Sequence, residues 1–307
     1  MLTKVCGFYK LEAVKIKGGV EYSRRPLTGW FPNLITNQGL DRMATYFDYV
    51  RHCQVGSGST TPSNTNIGLV NRLAGTVAIS ASQAINNTSP YYSWFKRVYR
   101  FAEGVAAGNI SEVGIGWLDT GNNLFSRALI LDTYGNPTTI TVLSDEYLEV
   151  TYELRFYPLE TDVTGNITLT GNIGGTYSYT LRRALITTIQ DQNNQGNGQY
   201  PPSMHNAGYG SAFSIVYSGS IGAITGIPSG TAVNYAGYPA IPTYTPGSYS
   251  LNLTINMGPT EGNVPGGIKS LKFLFGFNQH QIEFGTAIPK TNQDSLSLTF
   301  RHVWARF

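Results

Sequence analysis

Hydrophobic and polar residues alternate along much of this chain, which is the pattern of a β-strand with one buried face. In 147–156 the apolar residues occupy every second position, namely Leu148, Val150, Tyr152, Leu154 and Phe156. The same alternation marks 213–217, 251–257 and 296–300. Segment 8–16 predicts a further strand, and 17–19 (Lys-Gly-Gly) predict a hairpin turn into a strand at 20–24. The pattern therefore predicts a mostly β protein.

One segment has the period of an amphipathic helix instead. In 37–47 the apolar residues recur at positions i, i+3, i+4 and i+7, namely Leu40, Met43, Ala44 and Phe47. Thr36 or Asn37 is available as the N-cap. We predict one short helix that packs one face on a sheet.

Charge is distributed unevenly. Residues 1–165 hold most of the charged side chains, whereas 190–300 contain only Asp191, Glu261, Lys269, Lys272, Glu283, Lys290 and Asp294. The shift falls near 157–165, where a strand pattern gives way to a segment containing Pro and Gly. We predict two antiparallel β-sandwich or jelly-roll-like domains, 1–160 with the helix and 161–307 rich in Tyr, Gly and Asn with long loops.

The composition narrows the class of protein. Charged residues make up 13% of the chain, about half of the roughly 25% typical of soluble domains. With 41% hydrophobic residues and a net charge of +3, the chain is not of the disordered type. A neutral, hydroxyl-rich surface is typical of secreted and virion proteins. The N-terminal segment has no signal-peptide pattern and no segment predicts a membrane helix, so we expect the protein to stay soluble without membrane insertion and to reach its destination by assembly and not by secretion.

Motifs of catalysis and metal binding are weak. The Gly-rich segment 56–61 (GSGSTT) lacks the Lys of a phosphate loop and no helix pattern follows, which favours a turn between strands. The four histidines are too scattered for a metal site by local spacing; they are His52, His205, His280 and His302. We expect His302 to be a packed strand residue. The sequence does not decide whether its two cysteines, Cys6 and Cys53, form a disulfide. We predict no metal and no cofactor.

Glycan cleavage needs a pair of carboxylates at a defined separation. Glu149 and Glu153 would share one strand face at a separation of about 13 Å, at about 3.3 Å per residue. That separation is too large for either usual carboxylate geometry. We therefore predict no enzymatic activity.

Nucleic-acid binding is not favoured either. The basic groups are small, namely Arg24 with Arg25, Lys96 with Arg97 and Arg100, and Arg182 with Arg183. The aromatic residues beside them are expected to fill a core and not to stack on bases, namely Tyr91, Tyr92, Trp94, Phe95, Tyr99 and Phe101. We predict no nucleic-acid partner.

Two regions, 190–210 and 218–250, are dense in Gly, Pro, Asn and Tyr, and loops this long are usually functional. Tyr offers a large contact area at small entropy cost together with a hydroxyl for polar partners. The candidate interface or receptor contacts are therefore Tyr200, Tyr209, Tyr235, Tyr238, Tyr244 and Tyr249. The alternative is that these side chains hold their own loops against the domain.

An ordered series of stretches carries a family resemblance. They are FPNLITNQGLD (31–41), CQVGSGSTTP (53–62), RVYRF (97–101), NISEVGIG (109–116), LFSRALI (124–130), TTITV (138–142) and YLEVTYELRFY (147–157). In this order they resemble a module of tail fibre, baseplate and other structural proteins of tailed bacteriophages, and they cover about half of the chain.

The resemblance implies a virion component without catalysis that works in several symmetric copies, as a trimer or hexamer among other virion proteins. We expect the first domain to dock on the particle, in the tail tip, baseplate or fibre-attachment region, after assembly in the host cytoplasm. The second domain would face neighbouring subunits or a host surface glycan or protein. Two alternatives stay open: a capsid decoration or head-fibre protein, and a glycan-binding or glycan-cleaving protein.

Overall fold

The computed structural model describes residues 1–188, 201, 214–235, 243–275 and 278–307. Within them the chain forms two large β-sheets, one small two-stranded sheet (β8, Gly108–Ile110, with β11, Ile140–Val142), a 3-10 turn at Gly171–Ile173 and one α-helix, α1 (Asn37–Thr45). The prediction of a mostly β fold with a single short helix is confirmed.

The first sheet has twelve strands. Its path runs β17, β20, β1, β12, β7, β6, β5, β9, β10, β4, and β2 and β3 add to the edge of β1. In chain order its members are β1 (Leu2–Lys17), β2 (Val20–Pro26), β3 (Phe31–Pro32), β4 (Leu34–Ile35), β5 (His52–Gly56), β6 (Arg72–Asn86), β7 (Tyr92–Phe101), β9 (Glu112–Gly116), β10 (Leu124–Leu129), β12 (Tyr147–Pro158), β17 (Ser250–Met257) and β20 (Leu296–Arg306).

The predicted hairpin joins β1 to β2. Gly18 and Gly19 have φ angles of +60° and +81°, and Lys17 pairs with Val20 across the turn. Two successive positive φ angles are those of a two-residue turn that matches strand twist, and glycine adopts them without steric cost. The predicted turn is therefore confirmed.

The second sheet has six strands in the order β13, β14, β19, β18, β15, β16. Their bounds are β13 (Val163–Leu169), β14 (Gly175–Arg183), β15 (Ser214–Tyr217), β16 (Ala232–Tyr235), β18 (Ile268–Phe275) and β19 (Asn278–Ile288). All pairs in this sheet are antiparallel.

The chain does not pass from the first sheet to the second at a single boundary. The composition shift near 160 coincides with the passage from β12 to β13, where the chain leaves the first sheet. Later, however, β20 returns to lie parallel to β1 at Leu2–Val5, and β17 pairs with β20. This parallel pair departs from the antiparallel pairing that we expected. Of the strands after residue 250, β17 and β20 therefore belong to the first sheet, whereas β18 and β19 belong to the second.

One apolar core extends through both sheets. The alternating residues of β12 point into it as predicted, from Leu148 to Phe156. At the contact of the two sheets, the ring of Phe273 in β18 stacks on that of Phe300 in β20 with centroids 4.2 Å apart. The periodicity therefore identified the buried faces correctly, and the two sheets bury them against each other.

Helix α1 packs on the first sheet through Leu40, Met43 and Ala44, as predicted. The Thr36 hydroxyl caps it by accepting a hydrogen bond from the Gly39 N–H at 3.0 Å. The expectation that Phe47 continues the buried face is wrong. The helix ends at Thr45, the backbone turns extended at Tyr46, and Phe47 is 39% exposed.

Gly39 is the point of closest approach between α1 and β10. A Cβ atom there would lie 2.2 Å from the Phe125 carbonyl oxygen, so any side chain must displace backbone. We expect Gly39→Ala to lower the free energy of unfolding by about 1–3 kcal/mol, although Ala is normally the better helix residue. Urea unfolding followed by circular dichroism measures this. Gly29→Ala is the control, since nothing lies within 4 Å of its added Cβ; equal stability of the two variants would contradict the packing argument.

Candidate functional site

A fully buried ion pair links β9 to β10. The Nε atom of Arg127 donates to Oε2 of Glu112 at 2.9 Å, and the two side chains are 1% and 0% exposed. Such a pair is stable only when the remaining hydrogen-bonding capacity of both groups is used.

The Glu112 carboxylate satisfies the backbone of the segment 57–71, which we call the covering loop. Oε1 accepts from the N–H groups of Gly58 at 3.0 Å and Asn71 at 2.8 Å, and Oε2 accepts from Val70 at 3.2 Å. Of the Gly-rich segment 56–61 only the Gly58 amide contacts this carboxylate, and the other two amides come from the far end of the covering loop. The segment begins a loop between β5 and β6, in line with the predicted turn between strands.

Arg127 holds the other half of the covering loop. Its Nη1 donates to Oδ1 of Asn66 at 3.0 Å and its Nη2 to the Thr60 carbonyl at 2.9 Å. Beneath the loop a Cβ at Gly114 would lie 2.6 Å from a Leu124 methyl, so the strand has no room for a side chain there. Three of the resembling stretches, 53–62, 109–116 and 124–130, therefore meet in one structural unit. Charged residues in otherwise apolar strands need a partner, so the sequence indicated that such pairs exist. It did not indicate which residues pair.

Of the six candidate tyrosines, two have side chains among the described residues. Tyr200, Tyr209 and Tyr238 lie outside the described residues, as does the side chain of Tyr235, whose backbone belongs to β16. Tyr244 and Tyr249 are described, and both are half-buried.

Tyr244 and Tyr249 lie against the chain's own first sheet. The Tyr244 hydroxyl donates to Asp41 of α1 at 2.5 Å, and its ring lies 5.6 Å from that of Trp304. The Tyr249 carbonyl accepts from the Trp304 N–H at 3.0 Å. The Tyr244 side chain therefore holds its loop against the first sheet, whereas the contact of Tyr249 is made by its backbone. Contact of any of the six with a partner stays a prediction.

Two of the predicted histidines meet between the sheets. His280 of β19 and His302 of β20 are 4% and 0% exposed, with ring centroids 5.8 Å apart. His302 is the packed strand residue that we expected, and its Nε2 lies 3.0 Å from the Thr3 hydroxyl. His52 is half-buried with Nδ1 2.9 Å from the Trp117 carbonyl, and His205 lies outside the described residues. In the described part of the chain no three His, Cys, Asp or Glu side chains are grouped to hold a metal ion.

Burial controls the protonation of this histidine pair. Desolvation lowers the pKa of His302 to about 3 and, with the charge of Arg183 nearby, holds the pKa of His280 well below its usual value. Arg183 is itself buried, and desolvation lowers its pKa to about 9. The amino group of Met1 adds another positive charge, since it contributes to both histidine shifts. The junction of the two sheets is therefore built to hold both imidazoles neutral.

The carboxylates weighed for glycan cleavage are each held by two cations. Glu149 contacts Arg24, with Nη1 and Oε2 2.7 Å apart, and also Arg100. Glu153 contacts Arg155 at 2.7 Å and Lys96 at 3.0 Å. Glu149 also stands directly opposite Glu12 on β1, and Arg24 bridges the two carboxylates. These carboxylates serve cross-strand charge pairing.

One predicted basic group, Lys96 with Arg97 and Arg100, lies on β7. Its members and their aromatic neighbours divide between the two faces of that strand. Phe95, Tyr99 and Phe101 lie in the core, as expected, while Tyr92 and Trp94 are half-buried on the other face. The expectation that all six aromatic residues fill the core is therefore wrong for the outward positions, because β7 alternates. Other cations of the predicted basic groups are committed to ion pairs, among them Arg25 with Glu146 at 2.8 Å.

The two cysteines are free thiols. Cys53 points into the core of the first sheet, and Cys6 is half-buried on the opposite face of β1. Burial raises the pKa of Cys6 to about 11, so both groups are protonated thiols at neutral pH.

A row of exposed apolar side chains marks the start of β6. Leu73 and Val77 point outward from the sheet and are 46% and 45% exposed, and Val70 before them is 54% exposed. We call these three residues the apolar stripe. A Cβ at Gly75, the position between Leu73 and Val77 on this face, would lie 2.4 Å from the Asp119 carbonyl oxygen and 2.7 Å from the Arg72 guanidinium. Polar groups therefore interrupt the apolar stripe.

The buried ion pair makes a specific stability prediction. We expect Glu112→Gln to lower the free energy of unfolding by about 3–5 kcal/mol, because it leaves the Arg127 charge buried without a counter-charge. Urea unfolding measures this, with proteolysis of the covering loop as a second readout. Asp145→Asn removes an exposed ion pair with Lys15 and should leave the midpoint nearly unchanged. Equal midpoints for both variants would show that the pair is not a structural requirement.

The histidine pair predicts that acid destabilises the fold. Both imidazoles have lowered pKa values when folded, so unfolding takes up protons below about pH 6.5. Stability should be complete above that pH and decline as the pH falls toward 3. His280→Gln should make the dependence shallower by up to about 1.4 kcal/mol per pH unit, measured by urea unfolding from pH 7 to 4. The half-buried His52→Gln is the control; a larger effect from it would refute the assignment.

Comparison of the chain with protein-family models, curated proteins and solved structures finds no match. Among the described residues, no helix is long and apolar enough to cross a membrane. What the molecule does must therefore be argued from its own geometry, in which the motif residues build a scaffold and the apolar stripe lies exposed on that scaffold.

Proposed function

We propose that this chain is a non-enzymatic structural subunit of a tailed-bacteriophage particle. It belongs to the tail tip, baseplate or fibre-attachment region and works as a homo-oligomer, a trimer or hexamer, packed against other virion proteins. The second half of the chain is turned toward neighbouring subunits or the host surface.

The observation that carries this proposal is what the residues of the resembling stretches do. Glu112 and Arg127 bind each other and the covering loop. Thr36 caps α1, and Asn33 accepts from the Gly7 N–H at 3.1 Å while it donates to the Tyr152 hydroxyl at 3.0 Å. Motif residues of an enzyme converge on a space that substrate can enter. These residues instead make contacts within the chain, which supports a building-block role.

The apolar stripe supports assembly with neighbours. Leu73, Val77 and Val70 expose apolar area on a chain whose charged groups are few and mostly paired with one another. Removing such area from water stabilises a contact by roughly 25 cal/mol per Å², with little dependence on salt. A subunit that is covered in the particle fits this surface better than a protein that remains free.

A capsid decoration or head-fibre role is the second candidate, because the resembling module and a neutral surface suit it equally. The position in the particle separates the two. In a cryo-electron microscopy map of the encoding phage, we expect density for the chain in three-fold or six-fold rings on the tail. Density on the capsid lattice alone would favour the second candidate, and absence from purified particles would contradict both.

The same particles test the apolar stripe. Phage supplied with a Leu73→Asp, Val77→Asp variant should incorporate about thirtyfold less of the chain, since two apolar contacts of about 1 kcal/mol each are lost. Quantitative mass spectrometry of purified particles measures this. Asn252→Asp, Asn256→Asp is the matched control, because both residues are exposed on β17 at the far edge of the sheet. Normal incorporation of the stripe variant would show that the stripe is not a contact surface.

A further inference from the structure

The second sheet ends in an open edge at β13. One side of this strand pairs with β14. Among the described residues, no strand pairs with its other side and no backbone hydrogen bond is made there. Every second residue of a strand turns its N–H and C=O groups toward each side, so this edge presents a row of unpaired donors and acceptors. Such a row is a template for a further strand.

The usual devices that protect a sheet edge are missing from β13. Its seven residues, VTGNITL, include no charged residue and no proline, and its register with β14 runs without a bulge. Other edges in the described part of the chain are protected. β2 carries Glu21, Arg24 and Arg25, and β3, β4, β8, β11 and β16 have two to four residues each. Charge and shortness both discourage pairing with another chain.

The core-facing side chains of β13 are incompletely covered. Val163, Ile167 and Leu169 pack against the core but are only half-buried. The edge strand of the first sheet, β17, is also long and uncharged, but its core-facing side chains are already fully buried. A strand added beside β13 would therefore remove apolar surface from water, and one added beside β17 would remove little.

The sequence of β13 is complementary to itself about Asn166. If two copies pair antiparallel around a twofold axis at this residue, Thr164 of one lies opposite Thr168 of the other, and Val163 lies opposite Leu169. Pairs of threonines and pairs of apolar residues are favourable across strands, and no charge meets a like charge. A contact between two identical surfaces requires this kind of self-complementarity.

We propose that β13 pairs antiparallel with β13 of a second copy of this chain, about a twofold axis at Asn166. The six-stranded sheet then continues into that of the second copy. This inference rests on the proposed function, because it supplies one contact of the proposed homo-oligomer. A hexamer with dihedral symmetry contains twofold axes, whereas a cyclic trimer does not.

The two proposals fail in different experiments. A chain that is found in the tail but makes no twofold contact would keep the structural proposal and remove this one. A chain that dimerises through β13 but is absent from purified particles would do the reverse.

The first test is the association of the purified full chain, measured by sedimentation velocity. We expect dimers, or assemblies of dimers, with a dissociation constant below about 10 μM. Thr164→Lys with Thr168→Lys should weaken association by about tenfold, because each lysine then faces a lysine of the second copy. Thr176→Lys with Thr180→Lys is the matched control, because these residues are the neighbours of the same two threonines on β14, one strand away from the edge. A monomeric or trimeric chain, or equal weakening by both variants, would overturn the proposal.

The second test determines the register by disulfide formation. Asn166→Cys in a Cys6→Ser background should give disulfide-linked dimers on mild oxidation, because opposed Cα atoms lie about 4.5–5.5 Å apart. Cys53 can stay, since it is fully buried. Thr164→Cys in the same background is the control, because its two thiols would lie about 13 Å apart, at about 3.3 Å per residue, which is too far for a disulfide. Equal cross-linking of both variants, or none with Asn166→Cys, would refute the pairing even if the lysine variants do not fold.

Discussion

The buried Glu112–Arg127 pair is the interaction on which the first half of the chain depends. Taking both charges out of water costs several kcal/mol per ion, and their attraction alone does not repay this. The cost is offset because Glu112 also accepts from three backbone amides, and Arg127 also donates to Asn66 and Thr60. The covering loop is therefore held by polar contacts made under it, and the second face of β9 and β10 is covered without a further sheet.

The second constraint is the pairing of the two ends of the chain. β20 lies parallel to β1, and the N–H of Phe307 donates to the Val5 carbonyl at 2.9 Å. Bringing the two ends together costs conformational entropy, which rises slowly with the number of residues between them. The burial of apolar side chains around Trp304 and Phe300 offsets this cost. The neutral histidine pair lies at the same contact. The sequence-distant halves thus form one core, and two buried imidazoles lie where its two sheets meet.

Many of the few charged side chains pair with one another on the sheets. Two surfaces of different chemistry remain. The start of the first sheet's β6 exposes apolar side chains, whereas the outer face of the second sheet exposes hydroxyls, amides and one oriented carboxylate. An apolar surface suits permanent contact with a subunit, because its burial does not require matched polar groups. This division agrees with a subunit that is fixed on one side and touches something else on the other.

The sequence by itself determined the local structure of this protein: the mostly β class, the buried faces of β12 and β20, the β1–β2 turn and the position of α1. These features follow from neighbours in the chain, where side-chain period and glycine act directly. Only the tertiary structure decided that β20 lies beside β1, that Glu112 meets Arg127, and that His280 meets His302. Such contacts join residues far apart in sequence, and alternation records which face is buried but not which strand lies next to it.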